Sequence, residues 1–250
     1  GGGKTWGLLC DGARHIDNRQ YRGAIFRREI SQITVQGGLW DESSKIYPLL
    51  GEVQNSSSRT WTFESGATIR FEGCEHESDK YKFQGAQWAW LGFDELTHFT
   101  ESQFWYLWSR CRSMSGVKPR VRATCNPDPF SWVKNLLEPW LSGRAKSGEL
   151  VWFVREEIGL TEVPEGTIGA ISITFIPAKL SDNKKLMESD PQYKIKLDTL
   201  PASERKALRD GSWDAVVSGE IFDPSWWRYI DQVPKIVKKV RYWDNAATEV

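Results

Sequence analysis

Residues 88–95 read Trp88-Ala89-Trp90-Leu91-Gly92-Phe93-Asp94-Glu95: an apolar run that ends abruptly in two carboxylates. Side chains alternate across a strand, so a run apolar at both odd and even positions is a strand covered on both faces. That requirement excludes a one-sided antiparallel sheet and calls for helices packed on each side. Other short runs fit the same layer. Ala24-Ile25-Phe26 stops at Arg27-Arg28, and residues 121–125, 151–154 and 171–176 read as further strands. Between them lie helical stretches at residues 6–15, where Gly7 and Gly12 weaken the pattern, and around Trp132, Val133, Leu136 and Leu137. Thr100-x-x-Gln103 has the form of a capping box, with Phe104, Leu107, Trp108 and Cys111 following at helical spacing. Residues 60–63 and 68–71 alternate on either side of Ser65-Gly66, a hairpin signature. Residues 181–210 turn helical and charged and close at Gly211, a helix-end glycine, and residues 239–244 alternate again. The fold class is α/β, a sheet flanked by helices.

Composition removes several alternatives. Lys+Arg and Asp+Glu are both 33, so no global charge argues for a polyanionic partner and any basic surface must be local. Hydrophobic residues at 40% rule out a disordered chain. The 14 tryptophans are expected mainly in the core, each needing a partner for its indole N–H. Cys10, Cys74, Cys111 and Cys125 are scattered with no Cys-x-x-Cys, which disfavours a zinc site or a disulfide framework and suits a reducing cytoplasm. No apolar run approaches the roughly 20 residues of a membrane helix.

Three constellations carry chemistry. Gly1-Gly2-Gly3-Lys4-Thr5 has the end of a phosphate-binding loop: glycines let backbone N–H groups surround phosphates, Lys4 reaches their oxygens, and the Thr5 hydroxyl can hold Mg²⁺ at a helix start. The first glycine and its strand are expected upstream, so the chain reads as a fragment; a terminal Gly-Gly-Gly-Lys-Thr also fits a flexible end. At the second, Asp94 is the expected Mg²⁺ residue and Glu95 the residue that orients or deprotonates an attacking water. Alone, the pair also fits a cap on the next segment. The third is Thr124-Cys125-Asn126-Pro127, a polar strand end suited to contacting a terminal phosphate, or simply a turn. Arg27 and Arg28 suit a nucleotide or a neighbouring subunit's phosphate, or else a solvated pair or a bridge to Glu29. The cluster of cations at residues 235–241 reads as solvated surface.

The order of these segments resembles the large subunit of tailed-bacteriophage terminases. The matching pieces are the Gly-Lys-Thr loop, Arg27-Arg28, Ser78-Asp79-Lys80-x-x-x-x-Gly85, Asp94-Glu95 and Thr124-Cys125-Asn126-Pro127. They continue through Phe175-Ile176-Pro177-Ala178-x-x-x-Asp182-Asn183, Asp190-Pro191-x-Tyr193, Gly211-x-Trp213 and Trp243-Asp244-x-Ala246-Ala247-Thr248. The resemblance implies a P-loop NTPase sheet of the ASCE type in residues 1–180, a helical connector in residues 181–215 and the start of an RNase H-like nuclease in residues 216–250. It implies that Gly1, Gly2, Gly3, Lys4, Thr5, Arg27, Arg28 and Thr124 meet ATP, that Thr5 and Asp94 hold Mg²⁺, and that Glu95 and Asn126 serve hydrolysis and its coupling to movement. Asp244 would be the first metal ligand of a Mg²⁺- or Mn²⁺-dependent nuclease, and one carboxylate cannot assemble a two-metal site, so no cutting is expected of this chain. The implied partners are double-stranded viral DNA, a portal protein, a terminase small subunit and further copies in a ring, with no membrane, in the cytoplasm of an infected bacterium. A helicase or recombination ATPase, and an inert scaffold, are the competing readings.

Overall fold

A computed structural model describes residues 3–157, 159–190 and 192–214. They lie within a compact unit spanning residues 1–216. In chain order the unit opens with helix α1 (Lys4–Gly12), strand β1 (Arg22–Arg27), helices α2 (Ile30–Thr34) and α3 (Leu39–Ile46), and strands β2 (Glu52–Asn55), β3 (Thr60–Phe63), β4 (Thr68–Gly73) and β5 (Trp90–Phe93). Then come α4 (Glu101–Trp108), β6 (Arg120–Ala123), α5 (Trp132–Leu136), α6 (Glu138–Leu141), β7 (Leu150–Arg155), β8 (Leu160–Val163) and β9 (Ile171–Thr174). Helices α7 (Lys184–Ser189), α8 (Tyr193–Asp198) and α9 (Ala202–Asp210) follow, and Gly211 ends α9 in the left-handed conformation expected of it, at φ 68°.

Six strands form the main sheet in the order β2-β3-β4-β1-β5-β6. Strands β4, β1, β5 and β6 are parallel, and the hairpin read from residues 60–71 supplies β3 and β4 and extends the sheet antiparallel. Alternation along the strands builds two cores. Ala24, Phe26, Leu91 and Phe93 face Phe104 and Leu107 of α4 and Val133 of α5. Ile25, Ile69 and Trp90 face Leu8 and Leu9 of α1, Ile33 of α2 and Leu39 and Ile46 of α3. Thr100 caps α4 as its motif predicts, its hydroxyl accepting from the Gln103 N–H at 3.0 Å.

Trp90 is the keystone of the second core. A Cβ added to Gly12, Gly23 or Gly92 would stand 3.0, 3.4 or 2.5 Å from the indole, so three glycines shape its slot. The indole N–H donates to Asp11 Oδ2 at 2.9 Å. Gly92→Ala would also press on Leu8 at 3.2 Å. It is expected to destabilise the fold by about 1–3 kcal/mol through overpacking. A urea midpoint equal to the native value would contradict this. The tryptophans are largely internal as expected, with Trp61, Trp88, Trp90, Trp105, Trp140 and Trp213 all buried, while Trp6 is half exposed and donates to Glu42 at 3.0 Å.

The structure departs from the sequence reading in its second half. Strands β7 and β9 do not join the main sheet. They belong to a separate antiparallel sheet of order β8-β7-β9. Apolar runs state that a strand is buried, not which sheet buries it. The helical stretch 181–210 holds three short helices, broken around Asp190 and at Pro201. Among the described residues no helix is long and apolar enough to cross a membrane.

Candidate functional site

The parallel strands end together, and their carboxyl ends carry the polar residues. In open α/β sheets that edge is where ligands bind. Lys4 opens α1 behind Gly3, whose φ of 73° is readily adopted only without a Cβ. Its ammonium donates to Asn126 Oδ1 at 2.6 Å and to the Cys125 carbonyl at 2.9 Å, and pairs with Glu95 Oε1 at 3.5 Å. Glu95 in turn accepts the Asn126 backbone N–H at 2.8 Å and its side-chain amide at 3.0 Å. Three segments far apart in sequence thereby close one network. Glu95 holds it from a left-handed backbone, φ 55°, a conformation that costs a side-chain-bearing residue free energy.

Asp94 is 5% exposed at its side chain and pairs with Arg27. Its other oxygen accepts the Thr124 hydroxyl at 2.7 Å. Backbone pairing places it there: the Asp94 N–H donates to the Phe26 carbonyl at 2.8 Å, and the Thr124 N–H donates to the Phe93 carbonyl at 2.8 Å. Burial pushes the Cys125 thiol up to about 12, so it is a neutral wall of the site and not a nucleophile.

The structure thus brings together Lys4, Asp94, Glu95, Thr124, Asn126 and Arg27. Thr5 stands half-buried as the second residue of α1. The suggested bridge to Glu29 is not formed: Arg27 takes Asp94 and Gln32, and Arg28 donates to the His98 carbonyl at 2.6 Å. Gly1, Gly2, Asp244 and residues 235–241 lie outside the described residues. Sequence reasoning missed the Cys125 carbonyl, since a backbone acceptor leaves no mark in residue types.

A glycine-lysine-threonine helix start beside a strand ending in paired carboxylates, on a parallel sheet with helices on both faces, is the architecture of a P-loop NTPase. The chain belongs to the terminase large subunits: residues 1–228 match the family described as terminase large subunit, T4likevirus-type, N-terminal. The fold is similar to the large terminase from a thermophilic bacteriophage, at a TM-score of 0.56 and 16% identity, over 84% of this chain and 45% of that one. The same terminase in complex with ADP gives 0.55 at 17% identity over 85% and 46%, and in complex with ATP-gamma-S 0.52 at 18% over 85% and 45%. The chain spans less than half the length of these relatives. A search of curated proteins gives no match.

Proposed function

We propose that this chain is the ATP-hydrolysing motor of a terminase large subunit, driving double-stranded viral DNA into a procapsid in the cytoplasm of an infected bacterium. The observation that carries the reading is the convergence of Lys4, Glu95 and Asn126 from three segments into one hydrogen-bonded group. Complexes of the thermophilic phage terminase with ADP and ATP-gamma-S support nucleotide as the ligand. In this reading Gly1, Gly2 and Gly3 surround the phosphates and Lys4 leaves Asn126 for the phosphate oxygens. Glu95, freed of that cation, orients or deprotonates the attacking water. Asn126 and Thr124, which touch Glu95 and Asp94 directly, pass the change to β6, and Arg27 or Arg28 meets the transferred charge.

Mg²⁺ fits the donor set. Asp94 already holds a cation, the Arg27 guanidinium, so its surroundings accept positive charge. The Thr5 hydroxyl and Asp94 carboxylate are hard oxygen donors, and Mg²⁺ keeps most of its shell as water and phosphate oxygen. It does not need a cluster of three acidic, His or Cys groups, and the described residues contain none. There it would neutralise phosphate charge.

Residues 1–180 are the ATPase portion in this proposal, 181–215 the connector and 216–250 the start of the nuclease. The nuclease assignment and its ligand Asp244 rest on the sequence resemblance, as do the portal, small-subunit and ring partners. Calorimetric titration with ATP-gamma-S tests the core of the reading. The native protein is expected to bind, and Lys4→Ala to lose affinity by about 10- to 100-fold, the worth of hydrogen bonds to a charged group. No binding by the native protein would sink it and return the inert scaffold, and equal affinity in the two proteins would remove Lys4 from the site.

A further inference from the structure

Residues 102–127 carry Arg110, Arg112, Lys118, Arg120 and Arg122 and no carboxylate, in a chain whose net charge is zero. The fold places the stretch from Arg110 to Arg120 at the sheet edge opposite the candidate site, and the run reaches that site only at Thr124. Arg120 begins β6 beside Trp90, the first residue of β5, so the α4–β6 connection lies at the amino ends of the parallel strands. The α1–β1 connection shares that edge, with the Asn18 side-chain amide donating to the Ser115 carbonyl at 2.8 Å. It adds Arg14, Arg19 and Arg22 against one exposed carboxylate, Asp17.

Few acids offset these cations. Asp11 alone takes Arg14 at 3.4 Å, Arg120 at 3.5 Å and Arg122 at 3.2 Å. Burial would raise its pKa, but the Trp90 indole N–H and the Arg120 and Arg122 guanidiniums outweigh this and hold the carboxyl below its ordinary value. One carboxylate among three guanidiniums leaves an excess of positive charge. Arg112 and Lys118 are exposed and form no ion pair among the described residues. Such a field attracts partners that carry a dense array of negative charge. Guanidinium forks match phosphate oxygens, and duplex DNA presents a charge about every 1.7 Å along its axis.

Two absences narrow the partner. The aromatics nearest this face, Tyr106 and Trp108, are half-buried, and the Arg110 guanidinium covers the Tyr106 ring at 5.2 Å, so little is left for stacking unpaired bases. Met114 is its one exposed large apolar side chain among the described residues, too little for a protein-docking core. We infer that Arg112, Lys118, Arg122 and their neighbours form a contact for the phosphate backbone of duplex DNA, at the sheet edge remote from Lys4 and Glu95. The inference rests on the motor reading and locates its track. Helix α1 spans the two edges, from Lys4 to Asp11, over about 10 Å.

The test is the double reversal Arg112→Glu/Lys118→Glu, compared with the charge-matched control Lys184→Glu/Lys185→Glu on the exposed side of α7. Binding of the protein to a fluorescent random-sequence duplex of about 30 base pairs is measured across a salt series. The first variant is expected to lose affinity about tenfold at about 0.2 M salt and to flatten the slope of log K against log salt by about 2, one unit for each phosphate no longer neutralised. The control should keep the native slope. An unchanged slope in the first variant, an equal loss in both variants, or a defect confined to single-stranded oligonucleotide would each overturn the inference. Nucleotide affinity, read in parallel, separates this from a failure of the motor reading: that reading falls if the native protein does not bind nucleotide, whatever the duplex does.

Discussion

Glu95→Gln is expected to lower ATP turnover by on the order of 10²- to 10⁴-fold while nucleotide affinity stays within a few-fold of native, the usual weight of a positioned general base. The substitution keeps the side chain's size but removes its negative charge. What remains cannot take a proton from water. The geometry explains why binding should be spared. Lys4 has two other acceptors, Asn126 Oδ1 at 2.6 Å and the Cys125 carbonyl at 2.9 Å, so the helix start keeps its seat without the Glu95 carboxylate. Phosphate release under saturating ATP, together with calorimetry, separates the two quantities. Turnover within a few-fold of native would remove Glu95 from the reaction, and lost binding with lost turnover would make it structural. Asp94→Asn, by contrast, should damage both, since Asp94 is the acidic residue assigned to the metal.

The second large effect concerns stability. Trp90→Ala should cost about 3–5 kcal/mol, the range for truncating a large buried aromatic. The indole is 1% exposed and fills a slot that glycines keep open on three sides, so little can move in to close the void. Truncation also strips Asp11 of its Trp90 donor and loosens the seat of α1 against the sheet. Because α1 begins at Lys4, nucleotide affinity should fall with stability. Trp90→Phe, which keeps a ring but not the N–H, should lie between. Denaturant unfolding decides it: a loss under about 1 kcal/mol would show that the slot collapses around the smaller side chain.

Local signals in the sequence predicted local structure well. The Thr60–Phe71 alternation around Ser65-Gly66 became β3 and β4, Thr100 and Gln103 capped α4, and Gly211 ended α9. The strand that ends at Asp94-Glu95 was legible because its apolar run stops at two carboxylates, although the pair alone also fits a cap on the next segment. What stayed hidden depends on segments meeting across the fold. Helix α2 and strand β8 carry weak periodicity and packing settles them, while α3, buried through Leu39, Ser43 and Ile46 at helical spacing, went unread. Nothing in residues 151–174 distinguishes a strand of the main sheet from one in a second sheet. The Arg27 pairing with Asp94 joins residues 67 positions apart, and Lys4 with Asn126 joins residues 122 apart. Glu95's left-handed backbone was invisible for a further reason: glutamate does not prefer it, and only the surrounding bonds impose it.

Among the described residues β6 stands outermost in the main sheet, and two of its arginines are tied to helix α1. Asp11 takes Arg120 at 3.5 Å and Arg122 at 3.2 Å, and the same carboxylate accepts the Trp90 indole N–H of β5 at 2.9 Å. One carboxylate thus rivets a helix to two neighbouring strands, so a change at Asp11 is felt in three elements at once.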